Sequence, residues 1–414
     1  MSRHKLGDLL KIQHGYAFKS DNYVAKSQYR LVTLGNFASG NSFKYNDEKA
    51  TYYGAEFPEE FILKEGDLIM PMTEQVIGLF GNTAFIPETT DYTFILNQRV
   101  GKVIYDEGKV DKYYLHYLLA TSSVKQQIEA RASGTRQRNI SPENIYDVEV
   151  DIPDISVQEK IGQFLYLLEE KQIMNNKTIQ ELEIMAKVIY DYWFLQYDFP
   201  NEDGKPYKSS GGKMVWNEEL GRKIPEGWKA GNLYEIADFV NGLACQKYRP
   251  IHENRKIPVI KIGEMHNGIT ESTEFVRDDI PEKNIINNGD ILFSWSATLE
   301  TMIWTGGKAG LNQHIFKVIP KYAKYYVFMQ LSSYIVNFVK MAEARKTTMG
   351  HITTDHIKQS KIALPPESIA VNYSKQVEGI FDKVISNSAT NREVVSLRDF
   401  LLPLLMNGQV MFSK

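Results

Sequence analysis

Cysteine is almost absent from this chain, because Cys245 is the single one among 414 residues. One thiol cannot close a disulfide within the chain or supply a cysteine-based metal cluster. The usage is typical of a reducing compartment, and we expect the protein in the cytoplasm.

Long hydrophobic runs and an excess of positive charge are also missing. No segment approaches the ~20 apolar residues needed to cross a bilayer, and Met1–Gly15 lacks the apolar stretch of a secretory signal. We therefore expect no membrane partner. The 48 Lys and Arg residues are outnumbered by 51 Asp and Glu, a net charge of −3. That balance argues against a uniformly basic surface but allows basic clefts with acidic surroundings.

Familiar catalytic motifs are absent from the sequence. It contains no G-x-x-x-x-G-K-[ST] phosphate loop, no H-E-x-x-H zinc motif and no G-x-G-x-x-G motif. Asp67 with Glu74, and Asp290 with Glu300, offer paired carboxylates, but neither pair has the nearby lysine of a common nuclease motif. We therefore predict a protein that is not an enzyme and binds no metal or cofactor itself. A metal-dependent nuclease is a minor alternative.

What the sequence does contain is an internal repeat of roughly two hundred residues, too long for a solenoid unit. Short segments return in the same order in both halves: Leu6, Gly15 and Ala17 as Leu233, Gly242 and Ala244; Gly66–Asp67 as Gly289–Asp290; Leu96–Asn97–Gln98 as Leu311–Asn312–Gln313; and 140–145 as 352–357. The repeat predicts two similar domains, and two similar domains suggest a ligand with two similar parts.

Both halves show the same order of predicted elements. Runs rich in β-branched and aromatic residues predict strands, at 31–37, 61–72, 83–87 and 94–105, then at 257–262, 284–295, 301–304 and 311–319. Apolar spacing predicts helices over 111–131 and 322–344. Ser141 before Pro142 predicts the start of a short helix, and strands at 148–152 and 361–364 end at prolines.

Two long segments have the 3.5-residue apolar period of a coiled coil. The predicted seam consists of Ile161, Leu165, Leu168, Asn175, Ile179, Leu182 and Ile189 in the first, and of Val377, Phe381, Val384, Asn391 and Leu402 in the second. Both seams turn polar near the middle, so antiparallel pairing would place Asn175 opposite Asn391 and fix the register. The alternative is two surface helices, each packed on its own domain. Pro403 should kink or end the second helix.

These patterns predict an α+β fold. Two homologous mixed α/β domains are separated by two long helices that form an antiparallel coiled coil with pseudo-two-fold symmetry. At ~1.5 Å per residue, the first helix would span on the order of 50 Å and act as a spacer. The predicted boundaries are 1–153 for the first domain, 154–196 for the first long helix, 197–230 for a surface linker rich in Pro, Gly, Ser and Lys, 231–366 for the second domain, and 367–414 for the second long helix.

Several loops combine cations, amides and aromatic rings, the groups that contact DNA phosphates and base edges. The candidates are Tyr16, Phe18, Lys19, Ser20, Thr73, Gln75, Arg99, Arg136, Gln137, Arg138 and Asn139 in the first half, and Gln246, Lys247, Tyr248, Trp295, Ser296, Thr298, His314, Lys346, Thr347, Thr348 and His351 in the second. Most exposed basic loops are merely solvated, so each cluster alone is weak evidence. The equivalent placement of Arg136–Asn139 and Thr347–His351 in the repeat is stronger.

Residues that are identical in the two halves should differ in role from residues that diverge. Asn97 and Asn312, for example, are expected to hold the domain together or to contact phosphate. Base-reading positions should differ if the two target sequences differ. The diverging pairs are Lys19/Gln246, Gln75/Thr298, Arg99/His314 and Gln137/Met349.

An ordered set of segments then connects the chain with a known family. It comprises 6–9 with 14–20, 66–69, 133–140, the entry into the long helix at 153–161, and the central stretches 199–216 and 224–228. With the duplication, the set resembles the specificity (S) subunit of Type I restriction-modification systems over essentially the whole chain. The second half departs from the first where Gly350–His351–Ile352 replaces Arg138–Asn139–Ile140.

The resemblance implies a noncatalytic DNA-specificity subunit. Each target-recognition domain would bind one half of a divided double-stranded DNA target, and the coiled coil would set the gap. Two methyltransferase subunits, which carry S-adenosylmethionine, would dock on the helices and methylate adenine, and two restriction (translocase) subunits could join them. The alternative is a two-lobed structural or adaptor protein that binds partners through its coil and lacks salt-dependent DNA binding.

Overall fold

The computed structural model describes residues 1–37, 42–45, 47, 49–75, 77–252, 254–270, 272–344 (backbone only for 342–344) and 352–410. It forms two units. The first comprises Met1–Lys171 and Val394–Lys414, and the second comprises Gln172–Glu393. Each unit therefore takes a part of both long helices.

The first half of the chain contains short strands followed by helices. The strands are β1 (Ser2–Lys5), β2 (Leu10–His14), β3 (Tyr23–Val24), β4 (Tyr29–Val32), β5 (Tyr52–Tyr53), β6 (Leu68–Pro71), β7 (Thr73–Glu74), β8 (Ala84–Phe85), β9 (Thr93–Leu96), β10 (Val100–Tyr105), β11 (Arg138–Asn139) and β12 (Glu149–Ile152). The helices are α1 (Lys112–Ala120), α2 (Ser122–Arg131), α3 (Pro142–Tyr146) and the long α4 (Ile155–Tyr190), which continues as a π turn over Asp191–Leu195.

The second half repeats this order after an added hairpin. Its strands are β13 (Met214–Asn217), β14 (Arg222–Pro225), β15 (Lys229–Gly231), β16 (Ala237–Asn241), β17 (Lys256–Ile260), β18 (Phe275–Arg277), β19 (Ile285–Ile286), β20 (Ile291–Ser294), β21 (Glu300–Ile303), β22 (Ala309–Leu311), β23 (Ile315–Pro320) and β24 (Ile362–Leu364). Its helices are α5 (Leu233–Ile236), α6 (Ile262–Asn267), α7 (Lys324–Ala344), α8 (Thr354–Lys358) and the long α9 (Glu367–Met406).

The two units have matching sheets. The antiparallel sheet β2-β10-β6-β8 of the first corresponds to β16-β23-β20-β21 of the second. A mixed sheet in each contains one parallel pair, β4 with β9 and β17 with β22. The pairs β1·β12 and β15·β24 close the two domains in the same way. The predicted fold of two homologous α/β domains is therefore confirmed.

The repeat depends on a close crossing of the backbone. An ideal β-carbon on Gly15 would lie 2.0 Å from the carbonyl oxygen of Asn97, and one on Gly242 would lie 2.1 Å from that of Asn312. The amide of Gly15 donates to Val100 O at 3.0 Å, and Gly242 makes the matching bond at 3.1 Å. Glycine is required at both positions because no side chain fits between the two backbone segments that cross there.

The repeated Gly-Asp pairs form turns. Gly66 adopts a φ of 78°, which favours glycine. The Asp67 carboxylate accepts a hydrogen bond from the backbone three residues earlier and lies 2.7 Å from Lys102 Nζ. Asp290 makes the same turn contact and lies 2.9 Å from Lys317 Nζ. Both carboxylates thus stabilise turns.

The predicted helix over 111–131 is interrupted. Thr121 has extended backbone angles, and its hydroxyl donates to the carbonyl of Leu118 at 2.8 Å. Its side chain therefore competes with helix continuation, and α1 ends before it. The short helix predicted from Ser141 and Pro142 is confirmed, since the Ser141 hydroxyl accepts from Asn144 N. Helix α9 passes through Pro403 and ends at Met406.

The structure corrects the prediction for the segment 197–230. Its Pro, Gly and Ser content predicts a surface linker, yet it carries the β13–β14 hairpin and contributes to the core of the second unit. Tyr197, Phe199 and Trp228 are buried, and the ring of Phe199 stacks on Trp228 with centroids 5.5 Å apart. The aromatic residues, not the turn formers between them, decide its packing.

The long helices pair antiparallel within each unit. In the first unit, Leu405, near the end of α9, shares a hydrophobic core with Leu165, near the start of α4. In the second unit, the hydroxyl of Tyr373, near the start of α9, donates to the carbonyl of Ala186, near the end of α4, at 3.2 Å. All predicted seam residues are buried or half-buried.

The polar centre of the seam is a pair of amides. Asn175 Nδ2 donates to Asn391 Oδ1 at 2.8 Å, and Asn391 Nδ2 donates to Asn176 Oδ1 at 2.8 Å. Asn175 and Asn391 are both buried. Because a buried amide must keep its partner, these bonds define one register of the helices.

We expect Asn175→Leu to destabilise the protein by about 1–3 kcal/mol, because it leaves the buried Asn391 oxygen without a donor. Asn175→Leu combined with Asn391→Leu should recover most of that loss, since an apolar pair needs no partner. Urea denaturation of both single variants and the double variant provides the comparison. Additive losses in the double variant would show that the two amides are not coupled.

Gly242→Ala should destabilise the second unit by about 1–3 kcal/mol, because the new methyl group overlaps the Asn312 carbonyl. Gly379 in α9 is a matched control in the same unit. A β-carbon there meets nothing within 4 Å, so Gly379→Ala should stabilise the helix by about 0.5–1 kcal/mol. Thermal melting of the two variants should shift in opposite directions, and equal shifts would refute the crossing constraint.

Candidate nucleic-acid interface

In the first unit, segments that are distant in sequence meet at β7 and β11. Register pairs Asn139 with Thr73 and Arg138 with Glu74. The Thr73 hydroxyl donates to Asn139 Oδ1 at 2.8 Å, and Gln137 Nε2 lies 3.4 Å from the same oxygen. The fold therefore gathers five of the predicted residues, Thr73, Gln75, Gln137, Arg138 and Asn139, in one place.

The loop between α2 and β11 depends on Gly134. Its φ is 112°, and a β-carbon there would lie 2.1 Å from the carbonyl oxygen of Gln137. Ser133 and Asn139 exchange backbone hydrogen bonds of 2.9 and 2.8 Å. The tight loop leaves Arg136 exposed.

Arg138 has an internal partner. Its guanidinium lies 2.9 Å from the carboxylate of Glu74, which is buried. That carboxylate also accepts from the amides of Leu79 and Phe80 at 3.0 and 3.2 Å. Because Glu74 neutralises its charge, Arg138 is suited to holding the loop in place. The side chain of Arg136, in contrast, is exposed to solvent.

The strand ends of the first unit complete this surface. Gln98 N donates to Tyr16 O at 2.9 Å, and Met72 N donates to Arg99 O at 2.9 Å. Arg99 therefore lies beside the residue that precedes Thr73. The side chains of Lys19, Ser20, Gln75 and Arg99 are exposed, and Tyr16 is half-buried.

Phe18 was predicted to contact DNA, but its side chain is buried and cannot do so directly. The ring packs with Leu31 and Ile95 and meets Tyr53 edge-on with centroids 4.7 Å apart. Thr73 and Ser296 are also buried. These three residues shape the loops that carry the exposed candidates.

In the second unit, three predicted loops surround one cleft of ≈ 630 Å³. Gln246 comes from the 3-10 turn over Cys245–Tyr248, Ser296 follows β20, and His314 precedes β23. The lining residues are Cys245, Gln246, Arg249, Lys261, Ile262, Gly263, Glu274, Ser296, Ala297, Asn312 and His314. The cleft has apolar walls and a mixed polar rim.

Two charged residues of the cleft were missed by sequence reasoning. Lys261 Nζ lies 2.7 Å from Glu274, and its hydrogen bond holds the pKa of the Glu274 carboxyl below its usual range. Lys261 directly follows β17, which runs parallel to β22, and Asn312 directly follows β22. Neighbouring parallel strands end at the same edge of a sheet, so Lys261 and Asn312 lie at one edge. The sequence reveals this placement only if the pairing of the strands is known.

Asn97 and Asn312 have structural roles. Asn97 Oδ1 accepts from Arg99 N at 3.2 Å, and Asn312 Oδ1 accepts from His314 N at 3.2 Å. Asn312 Nδ2 also lies 3.9 Å from the Cys245 thiol. Burial raises the pKa of that thiol, so Cys245 stays protonated and is a poor nucleophile.

The remaining candidates of the second half have varied surroundings. Lys247 and Thr298 are exposed. The ring of Tyr248 lies 5.5 Å from the Arg277 guanidinium, and Trp295 Nε1 donates to Asn241 Oδ1 at 3.3 Å. Lys346, Thr347, Thr348 and His351 lie outside the described residues.

The described residues provide neither a metal site nor a membrane-spanning helix. Within those ranges, no group of three or more His, Cys, Asp or Glu residues could hold a metal ion. Nor is any helix in the described part of the chain long and apolar enough to span a membrane.

Comparison with known proteins links this architecture to one family. A family model described as "Type I restriction modification DNA specificity domain" matches residues 2–184 and again 225–394. The chain is 24% identical over 328 residues to the specificity subunit of the Type I restriction enzyme MjaIX of Methanocaldococcus jannaschii, covering 76% of this chain and 72% of the relative. It is 24% identical over 346 residues to that of the Type I restriction enzyme HindI of Haemophilus influenzae, covering 70% and 75%.

A solved structure has the same fold. The S subunit of a Type I restriction-modification system from M. genitalium superposes with a TM-score of 0.59 at 13% identity, covering 98% of this chain and 95% of that one. Two copies of the specificity domain on one repeated framework, together spanning most of the sequence, make this protein a member of the Type I restriction-modification DNA specificity family.

Proposed function

We propose that this specificity subunit binds a divided double-stranded DNA target, one half-site per unit, and docks methyltransferase subunits that methylate adenine. The observation that carries the proposal is a backbone frame that is repeated in both units with divergent side chains. Gln98 N donates to Tyr16 O and Gln313 N donates to Leu243 O, both at 2.9 Å. Two identical frames with different exposed groups suit two different half-sites.

The divergent positions differ in the bases they favour. Lys19 and Arg99 of the first unit correspond to Gln246 and His314 of the second. Lys and Arg bond the acceptor pair of guanine, whereas Gln bonds the donor–acceptor pair of adenine. The first half-site is therefore expected to be richer in guanine contacts than the second.

This chain and the methyltransferase have different chemical roles in the proposed complex. This chain supplies phosphate and base contacts, while the methyltransferase holds S-adenosylmethionine and receives the extruded adenine. Asp67 and Asp290, the carboxylates that a nuclease mechanism would use, are engaged in turns with Lys102 and Lys317. Two restriction (translocase) subunits could join the same assembly.

Helix α4 offers a surface for the methyltransferase. Within the second unit, Met174, Ile184, Met185 and Val188 are exposed by 66, 61, 53 and 60%. Grouped apolar side chains on a soluble helix mark protein contacts. They suit an apolar groove or helix of the partner, and we assign them to methyltransferase docking.

Exchanging residues 1–153 for those of another family member should change one half of the methylated motif and leave the other half unchanged. Adding one heptad to both α4 and α9 should change only the gap. Single-molecule sequencing of host DNA, with the methyltransferase co-expressed, measures both. An undivided motif, or a change in both halves after the domain exchange, would disprove the modular assignment.

Val188→Asp should weaken assembly with the methyltransferase at least about tenfold, because it places a charge in the centre of an apolar contact. Gln180→Asp adds the same charge at another exposed position of α4 and should leave assembly nearly unchanged. Titration of the two purified variants with the methyltransferase gives the dissociation constants. Equal affinities would remove this face from the docking surface.

A further inference from the structure

The cleft of the second unit combines apolar and polar walls. Ile262 and Ala297 contribute apolar surface, and Gln246 and His314 contribute an amide and an imidazole. At ≈ 630 Å³ the cleft has the size and the mixed lining of a ligand-binding site.

His314, which lines the cleft, carries a buried ring nitrogen. The Nδ1 atom of His314 is buried, and among the described residues no group hydrogen-bonds to it. The ring is held in place by Trp295, whose centroid lies 5.6 Å away. A polar atom that is buried without a partner destabilises the protein.

The backbone at the cleft is strained. Ala297 adopts a φ of 58°, in the left-handed region that non-glycine residues rarely occupy. Its neighbour Ser296 is buried. Strain of this kind persists where the surrounding structure enforces it, and it is concentrated at binding sites.

The equivalent position in the first unit is occupied differently. Cys245 stands where the repeat has Phe18, whose ring is packed against Tyr53. Because a thiol is much smaller than a phenyl ring, the second unit gains room beside Asn312. The two units therefore offer DNA different surfaces at the same point of a shared frame.

We infer that this cleft receives one A·T base pair of the DNA target, with Gln246 reading the adenine. A Gln amide can bond the N6 and N7 atoms of adenine together, and apolar surface such as Ile262 and Ala297 suits the methyl group of thymine. Arg249, which is exposed and also lines the cleft, suits a flanking phosphate. The inference rests on the proposed function, since it assigns a subsite within the second half-site.

The test measures methylation by the assembled complex on duplexes that differ at single positions of the second half-site. The wild-type complex should prefer A·T at one position by about tenfold or more, the range of a bidentate side chain–base contact. Gln246→Ala should abolish that preference at this position only. Gln246→Lys, which installs the residue of the first unit, should shift the preference toward G·C.

Gln359→Ala is the matched control, because Gln359 is also an exposed glutamine of the second unit but lies outside the cleft. It should retain every preference of the wild type. Thermal melting verifies that the Gln246 variants are folded. The assignment is overturned if Gln246→Ala keeps full discrimination everywhere, if it alters both half-sites, or if the second half-site contains no A·T pair. A wild-type complex without a divided motif would instead overturn the proposed function and the inference with it.

Discussion

Each unit of this protein is organised by one contact, the passage of a glycine across the backbone of an Asn residue. Gly15 and Gly242 leave no space for a side chain where they cross Asn97 and Asn312. The crossing joins the antiparallel sheet to the mixed sheet and fixes where the loops after β2 and β16 must start. With the backbone fixed in this way, neighbouring side chains can change without disturbing the fold. The exposed side chains of the loops can therefore vary while the backbone that holds the loops stays the same.

Local signals in the sequence predicted much of this fold. The Ser141–Pro142 helix start forms as predicted, and the predicted seam residues are buried or half-buried, because each pattern depends on residues close together along one element. Composition was misleading for 197–230, where a few large aromatic side chains outweigh many turn formers. Thr121 interrupts a helix through its own hydroxyl, which apolar spacing does not register.

The candidate site was less predictable, because its chemistry depends on pairing between distant segments. Arg138 is a basic loop residue in the sequence but a partner of buried Glu74 in the fold. Lys261 and Glu274 enter the cleft only through the order of strands in the mixed sheet. Residue type indicates the candidate loops. The strand order decided which side chains of those loops face one another.

The division of the long helices has a consequence for biosynthesis. The second unit is continuous in sequence, from Gln172 to Glu393, whereas the first combines Met1–Lys171 with Val394–Lys414. Domains that emerge from the ribosome generally fold in order, but here the part of the first unit that is made first lacks its closing segment until the whole of the second unit has been made. Leu405 and Met406, which belong to the core of the first unit, are made after the whole of the second unit. The first unit is thus completed after the second, and a chain truncated after Glu393 would retain the second unit while the first lacks part of its core.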